Sequence, residues 1–238
     1  MEQQAGIDLR ETGASLNGAP QKSEQRLFIQ LQVFGGCPDP APLIPLLEAS
    51  GLEGVLYRDL NDPQGIGLLI LAEHPEVFVQ EARALLAAGV FASLERRAPL
   101  TMTGRSYSTG READLTDWLL HKPRRTALNP EWPWAIWYPL RRTGAFSALP
   151  HEEQMRVLKE HGNIGRAFGD AGHVQDIRLA SYGLDRGDND FVIGLIGREL
   201  YPLSAVVQAM RKTRQTSEFI RSMGPFFVGR ALWQSPAP

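Results

Sequence analysis

Between Arg26 and Phe34 the apolar residues Leu27, Ile29, Leu31 and Val33 alternate with other positions, the period-2 pattern of a half-buried strand. A helix follows. Pro42 opens it, Leu43, Ile44, Leu46 and Leu47 give it an apolar face, Gly51 stops it, and Pro45 disturbs its first turn. Gly54 to Leu60 and Gly67 to Ala72 flank Asn61-Asp62-Pro63-Gln64-Gly65, a turn sequence that predicts a hairpin. Pro75 to Ala88 reads as a second helix, with Val77, Phe78, Ala82, Leu85 and Leu86 on one side, and Leu100 to Ser108 as a closing strand. The order βαββαβ is the ferredoxin-like split unit, an antiparallel sheet with helices on one face.

The same order recurs further on. Trp134 to Leu140 predicts a strand, Pro150 to Phe168 a long helix, and Val174 to Tyr182 with Asp190 to Ile196 a hairpin across Gly183-Leu184-Asp185. Pro202 to Thr213 predicts another helix, Ser217 to Met223 a short helical piece, and Phe226 to Leu232 a final strand. The predicted class is therefore α+β, a tandem repeat of two ferredoxin-like units at 26–108 and 134–233, without a repeat of residues. The connecting segment 109–133 is too apolar at Leu115, Trp118, Leu119 and Leu120 for a free linker and is expected to pack as a helix and loop against one unit. Residues 1–25 read as a disordered tail.

Composition narrows the function classes. The chain has 238 residues, 22% of them charged, and a formal net charge of −2, so no basic field draws it to nucleic acid or an anionic membrane. No apolar run approaches the roughly 20 residues of a membrane span, and the opening residues lack the pattern of a signal peptide, so a cytoplasmic location is expected. Cys37 is the single cysteine, which excludes an internal disulfide and a cysteine-cluster metal site. Neither a Gly-x-x-x-x-Gly-Lys-Ser/Thr loop nor a Gly-x-Ser-x-Gly elbow occurs.

One polar residue breaks an apolar stripe. Val157, Leu158, Ile164 and Phe168 recur at helical spacing and His161 falls among them, so its imidazole is expected to point inward. A buried imidazole needs a hydrogen-bond partner or a metal, because an unsatisfied polar group costs about 1–3 kcal/mol. Both readings stay open on spacing alone. Gly162 and Gly165 each cost the helix about 1 kcal/mol relative to alanine, and close approach of a planar ligand or close packing on a sheet would account for them. His74, His121, His151 and His173 show no zinc-ligand spacing with His161, whereas one isolated axial histidine suffices for haem iron.

From Gly104 onward a series of motifs occurs in order: Gly104-Arg105-Ser106-Tyr107-Ser108, Trp137-Tyr138-Pro139-Leu140-Arg141-Arg142, Glu160-His161-Gly162-Asn163-Ile164-Gly165-Arg166, Gly183-Leu184-Asp185, Met210-Arg211, and Gly224-Pro225-Phe226-Phe227-Val228-Gly229. Together they resemble the chlorite dismutase family, which includes coproheme decarboxylases. The resemblance implies the tandem ferredoxin-like fold, a dimeric α+β barrel type, and assembly as a homopentamer.

It also implies roles. His161 falls on the proximal iron ligand, and the cofactor would be haem b or coproheme. Tyr138 falls on the tyrosine held to form a radical during coproheme decarboxylation; packing at a core edge is its plain alternative. Arg105, Tyr107 and Arg141 would hold the cofactor's carboxylates through charge-assisted bonds, or else be ordinary surface groups. The family's distal arginine, seven residues before Gly183, is replaced by Asp176. A carboxylate there opposes an anionic oxidant such as chlorite, although Arg178 on the same strand face could substitute, pair with Asp176, or leave Asp176 as an acid/base group for peroxide. Thr143 to Leu149 is short and lacks the decarboxylase Trp-Tyr pair. The resemblance thus implies a haem-dependent oxidoreductase using peroxide or a related oxidant, with coproheme decarboxylase, chlorite dismutase, and a haem-binding or sensing protein without turnover as alternatives.

Overall fold

The structure is a computed structural model that describes residues 6–236. The first unit consists of β1 Glu11–Leu16, β2 Ala19–Ser23, β3 Phe28–Gly35, α1 Leu43–Ser50, β4 Glu53–Asp59, β5 Ile66–Ala72, the short helices α2 Glu76–Val79, α3 Glu81–Leu86 and α4 Gly89–Ala92, β6 Glu95–Arg96 and β7 Met102–Arg105. The rest comprises α5 Lys122–Ala127, β8 Trp134–Arg142, α6 Gly144–Ser147, α7 His151–Asp170, β9 Gln175–Ala180, β10 Phe191–Gly197, α8 Leu200–Met210, α9 Arg214–Phe219, β11 Ile220–Met223 and β12 Phe227–Gln234.

Each half orders its strands alike. The first runs β7-β3-β5-β4 and the second β12-β8-β10-β9. Strand β4 pairs with β12 and β7 with β9, so the two sheets close into one barrel, the expected tandem α+β architecture. The β7–β9 seam is slight: one registered pair, Arg105 with Ala180, and a Ser181 hydroxyl donating to the Thr103 carbonyl at 2.6 Å. Inside lie Leu27, Ile29, Leu31, Val55, Tyr57, Leu69, Trp137, Ile177, Leu179 and Phe227. Separate cores sit under the helices of each unit. No helix among the described residues is long and apolar enough to cross a membrane.

Four expectations need correction. The helical piece expected over Ser217 to Met223 stops at Phe219, and Ile220–Met223 forms strand β11 against β8. The tail reading fails for residues 11–23, which form the β1–β2 hairpin through an Asn17-Gly18 turn with φ of 53° and 83°. Polar anchors hold it: Gln21 Nε2 donates to the carbonyls of Ala14, Glu112 and Ala113, and the Glu11 carboxylate accepts from the Ser108 amide. Residues 1–5 of that expected tail lie outside the described residues. The single helix over 75–88 is instead two short pieces, because Gln80 leaves helical angles (φ −113°, ψ −85°), and a third short helix follows from Gly89, which takes φ 53°. The connecting segment packs into the core shared by both units, burying Leu115, Leu119, Leu120, Ala127 and Leu128, and not against one unit alone.

Candidate functional site

The site is built on the outer face of the C-terminal sheet. Alternation along β8 sends Trp137 into the barrel and Ile136, Tyr138 and Leu140 outward to the core beneath α7 and α8. Register extends that face sideways: Arg178 on β9, Ile193 on β10 and Tyr138 on β8 lie in one row, and Asp176, Leu195, Ile136 and Val228 in the next. Tyr138 stacks on Phe226 with ring centroids 4.6 Å apart. Burial, then the charge of Asp176, pushes its phenol above the ordinary tyrosine range, so it keeps its proton.

Helix α7 lies across this face. Glu152 and Glu153 in its first turn complement the helix dipole, Val157 is buried, and Ile164 and Phe168 pack on the sheet's outer core. His161 is half-buried on the same side. Its Nδ1 lies 3.2 Å from Thr213 Oγ1, and that hydroxyl donates its own hydrogen to the Met210 carbonyl at 2.7 Å. Thr213 therefore accepts from Nδ1–H, which fixes the tautomer and leaves the Nε2 lone pair unused. Arg214 locks this arrangement by pairing with Glu153 of α7 and taking the Glu160 carboxylate on its backbone amide. The glycines divide: a side chain at Gly165 would meet Met210 at 3.2 Å, whereas at Gly162 it would enter open space.

Burial, with the cations Arg142 and Arg178 acting in the same direction, lowers the His161 pKa to about 4. The imidazole is thus neutral in the folded chain at ordinary pH. An unfolded histidine titrates near 6.5, so between these values the unfolded chain binds more protons. Stability from this group is complete above about pH 6.5 and falls as pH drops towards 4, by roughly 2 kcal/mol after discounting for partial exposure. Urea unfolding of wild type and His161→Phe at pH 7 and pH 4.5 checks it; the acid loss is expected to be smaller in the variant.

The sequence-derived residues are placed unequally. Tyr107 reaches the site, packing on Phe191 at 5.7 Å, with its phenol raised by burial. Asp176 and Arg178 face the cleft together as an ion pair, Nε to Oδ2 2.8 Å. Arg105 stands at the edge with its guanidinium on Glu11 at 2.9 Å. Arg141 is not brought in: it is one position off the Tyr138 face and pairs with Asp188. Arg142, four residues from Tyr138, lies on its face instead. Its guanidinium lies 4.6 Å and 4.7 Å from the Phe146 and Phe191 rings, and its buried Nε lacks a partner among the described residues. Strand alternation was the signal that could have found it. Thr213, 52 residues from His161, gave none.

Among known proteins, the family model described as chlorite dismutase matches residues 80–232, more than half of the chain. A heme-binding protein from Thermus thermophilus superposes with a TM-score of 0.69 at 22% identity, covering 88% of this chain and 92% of that one. A mutant chlorite dismutase from Candidatus Nitrospira defluvii, in complex with cyanide, gives a TM-score of 0.68 at 20% identity, with coverages of 90% and 93%. The chlorite dismutase of the same organism in complex with imidazole gives 0.67 at 18% identity, with coverages of 90% and 93%. These structural likenesses show the fold, and the matched family model adds the lineage: this chain belongs to the chlorite dismutase family.

Proposed function

We propose that this chain is a haem-binding oxidoreductase that holds an iron porphyrin between α7 and the outer face of the C-terminal sheet and acts on peroxide or a related oxidant. The observation that carries the reading is His161, a neutral imidazole with Nδ1–H engaged by Thr213 and Nε2 left free on the inward side of α7. That is the state a metal-ligating histidine needs, its second nitrogen fixed by a hydrogen bond. Arg142 supports it from the sheet side, a guanidinium with an unpartnered buried Nε that suits a cofactor carboxylate.

An iron porphyrin bound there would supply redox chemistry with the oxidant. The chain's own residues bind and move protons. His161 Nε2 would hold the iron, and Tyr107 and Arg142 would hold the porphyrin's carboxylates. Asp176 Oδ1, the carboxylate oxygen not paired with Arg178, would accept a proton from incoming hydrogen peroxide. Tyr138, buried and protonated, closes the sheet side against water.

The test is peroxide consumption by the haem-loaded protein with a phenolic reductant. Turnover that drops to background in His161→Ala supports the oxidoreductase; tight porphyrin binding with no turnover makes the chain a haem-binding or sensing protein. A second reading, oxidative decarboxylation of coproheme, is favoured by Tyr138 and Arg142 sharing one face of β8. It requires conversion of coproheme to haem b on peroxide addition.

A further inference from the structure

Between β9 and the segment after β7 lies a small cavity lined by Ser106, Tyr107, Trp118, Lys122, Asp176 and Arg178. Its wall is set by a π-helical turn, Asp117–His121, that runs directly into α5 and carries Trp118, with Lys122 as its next residue. Such turns recur where a helix must present side chains to a site. The indole is fixed, its Nε1 donating to the Tyr107 carbonyl at 2.9 Å.

The charges around this ring do not balance. Arg178 lies 5.1 Å from the Trp118 centroid but is already paired with Asp176, and Arg125 nearby is paired with Asp117. Lys122 lies 4.4 Å from the same centroid and makes no ion pair among the described residues. Burial lowers its pKa below the ordinary lysine range, and Asp176 partly offsets the loss. An ammonium held partly out of water, supported by the ring quadrupole and lacking a carboxylate of its own, is most stable with a counter-ion beside it. The cavity, about 20 Å³, takes nothing larger than a water molecule or a small ion.

We propose that Lys122, with Arg178 and Trp118, forms a subsite for a small singly charged anion, a halide or oxyanion, at the edge of the cleft that faces His161. The Asp176 carboxylate also lines this cavity, but it is taken up by its pair with Arg178, so Lys122 of α5 supplies the net positive charge. That this anion is the oxidant or an iron ligand rests on the haem reading; the existence of the anion site does not.

The experiment separates the two. In the full-length chain without porphyrin, fluorescence quenching by iodide and by neutral acrylamide is measured, and the Trp118 component is taken as the difference from Trp118→Phe. Iodide is expected to quench this component saturably, with its affinity lowered about fivefold in Lys122→Met and restored in Lys122→Arg, while acrylamide quenching stays the same. Equal iodide quenching in wild type and Lys122→Met, or no restoration by arginine, overturns the anion site. In the haem-loaded protein, azide binding is expected to weaken about fivefold in Lys122→Met with imidazole binding unchanged; equal loss of both overturns the link to the cleft. A chain that takes no porphyrin ends the haem reading, and the iodide measurement still decides the anion site.

Discussion

Replacing His161 with alanine is expected to weaken haem binding by about a hundredfold, the loss of roughly 3 kcal/mol of axial ligation. The fold should barely respond. His161 is half-buried and shares one hydrogen bond with Thr213, a residue that keeps its bond to the Met210 carbonyl when the imidazole is gone. What the variant loses is the free Nε2 donor, while the partly buried apolar side chains of Ile164, Phe168, Ile193 and Phe226 remain to attract a porphyrin weakly. The Soret band of the residual complex should therefore lack the signature of imidazole ligation, and added imidazole should restore it by filling the space vacated by the side chain. A Soret titration with and without exogenous imidazole checks both. Unchanged affinity and spectrum in His161→Ala would show that His161 is a core histidine whose whole role is its bond to Thr213.

Trp137→Ala is expected to destabilise the protein by about 3–5 kcal/mol, the range for removing a large aromatic from a packed core. Trp137 is fully buried in the barrel interior, and its ring occupies the space beside Gly194, where a Cβ would come within 2.5 Å of it. Strand β8 pairs with both β10 and β12, so the tryptophan packs at the strand that joins most of the second sheet. A cavity there should also loosen the neighbouring residue, Tyr138, on the opposite face of the same strand. Denaturant unfolding should show a lower midpoint with an unchanged slope, and the haem complex of the variant should be weaker than its remaining folded fraction accounts for. A loss below about 1 kcal/mol would mean that the interior collapses around the gap and that the barrel is not closed by this packing.

The architecture was legible because period-2 alternation and turn residues marked most of the barrel strands, and the repeated order fixed two similar units. The closure of the barrel was not, since β4–β12 and β7–β9 pair residues far apart in sequence and one of these seams has a single registered pair. The β1–β2 hairpin carried a readable signal, Asn17-Gly18, but its strands are held by polar anchors such as Gln21 and bury little, so hydrophobic patterning passed over them. Within the site, likeness to a motif points to Arg141, whereas alternation from Tyr138 points to Arg142. Thr213 and Lys122 reach the site only through tertiary packing, the first by the docking of α9 on α7 and the second by a π turn that no periodicity announces.

The central claim, an iron porphyrin held by a neutral His161, is tested most directly by titrating the wild-type chain separately with haem b and with coproheme at pH 7 and following the Soret band. The account predicts saturable binding of one equivalent per chain, with an imidazole-ligated spectrum that persists on acidification to about pH 5, because the folded imidazole takes up its proton only near pH 4. Absence of binding by either porphyrin, or a complex whose spectrum shows no histidine ligation, would contradict it.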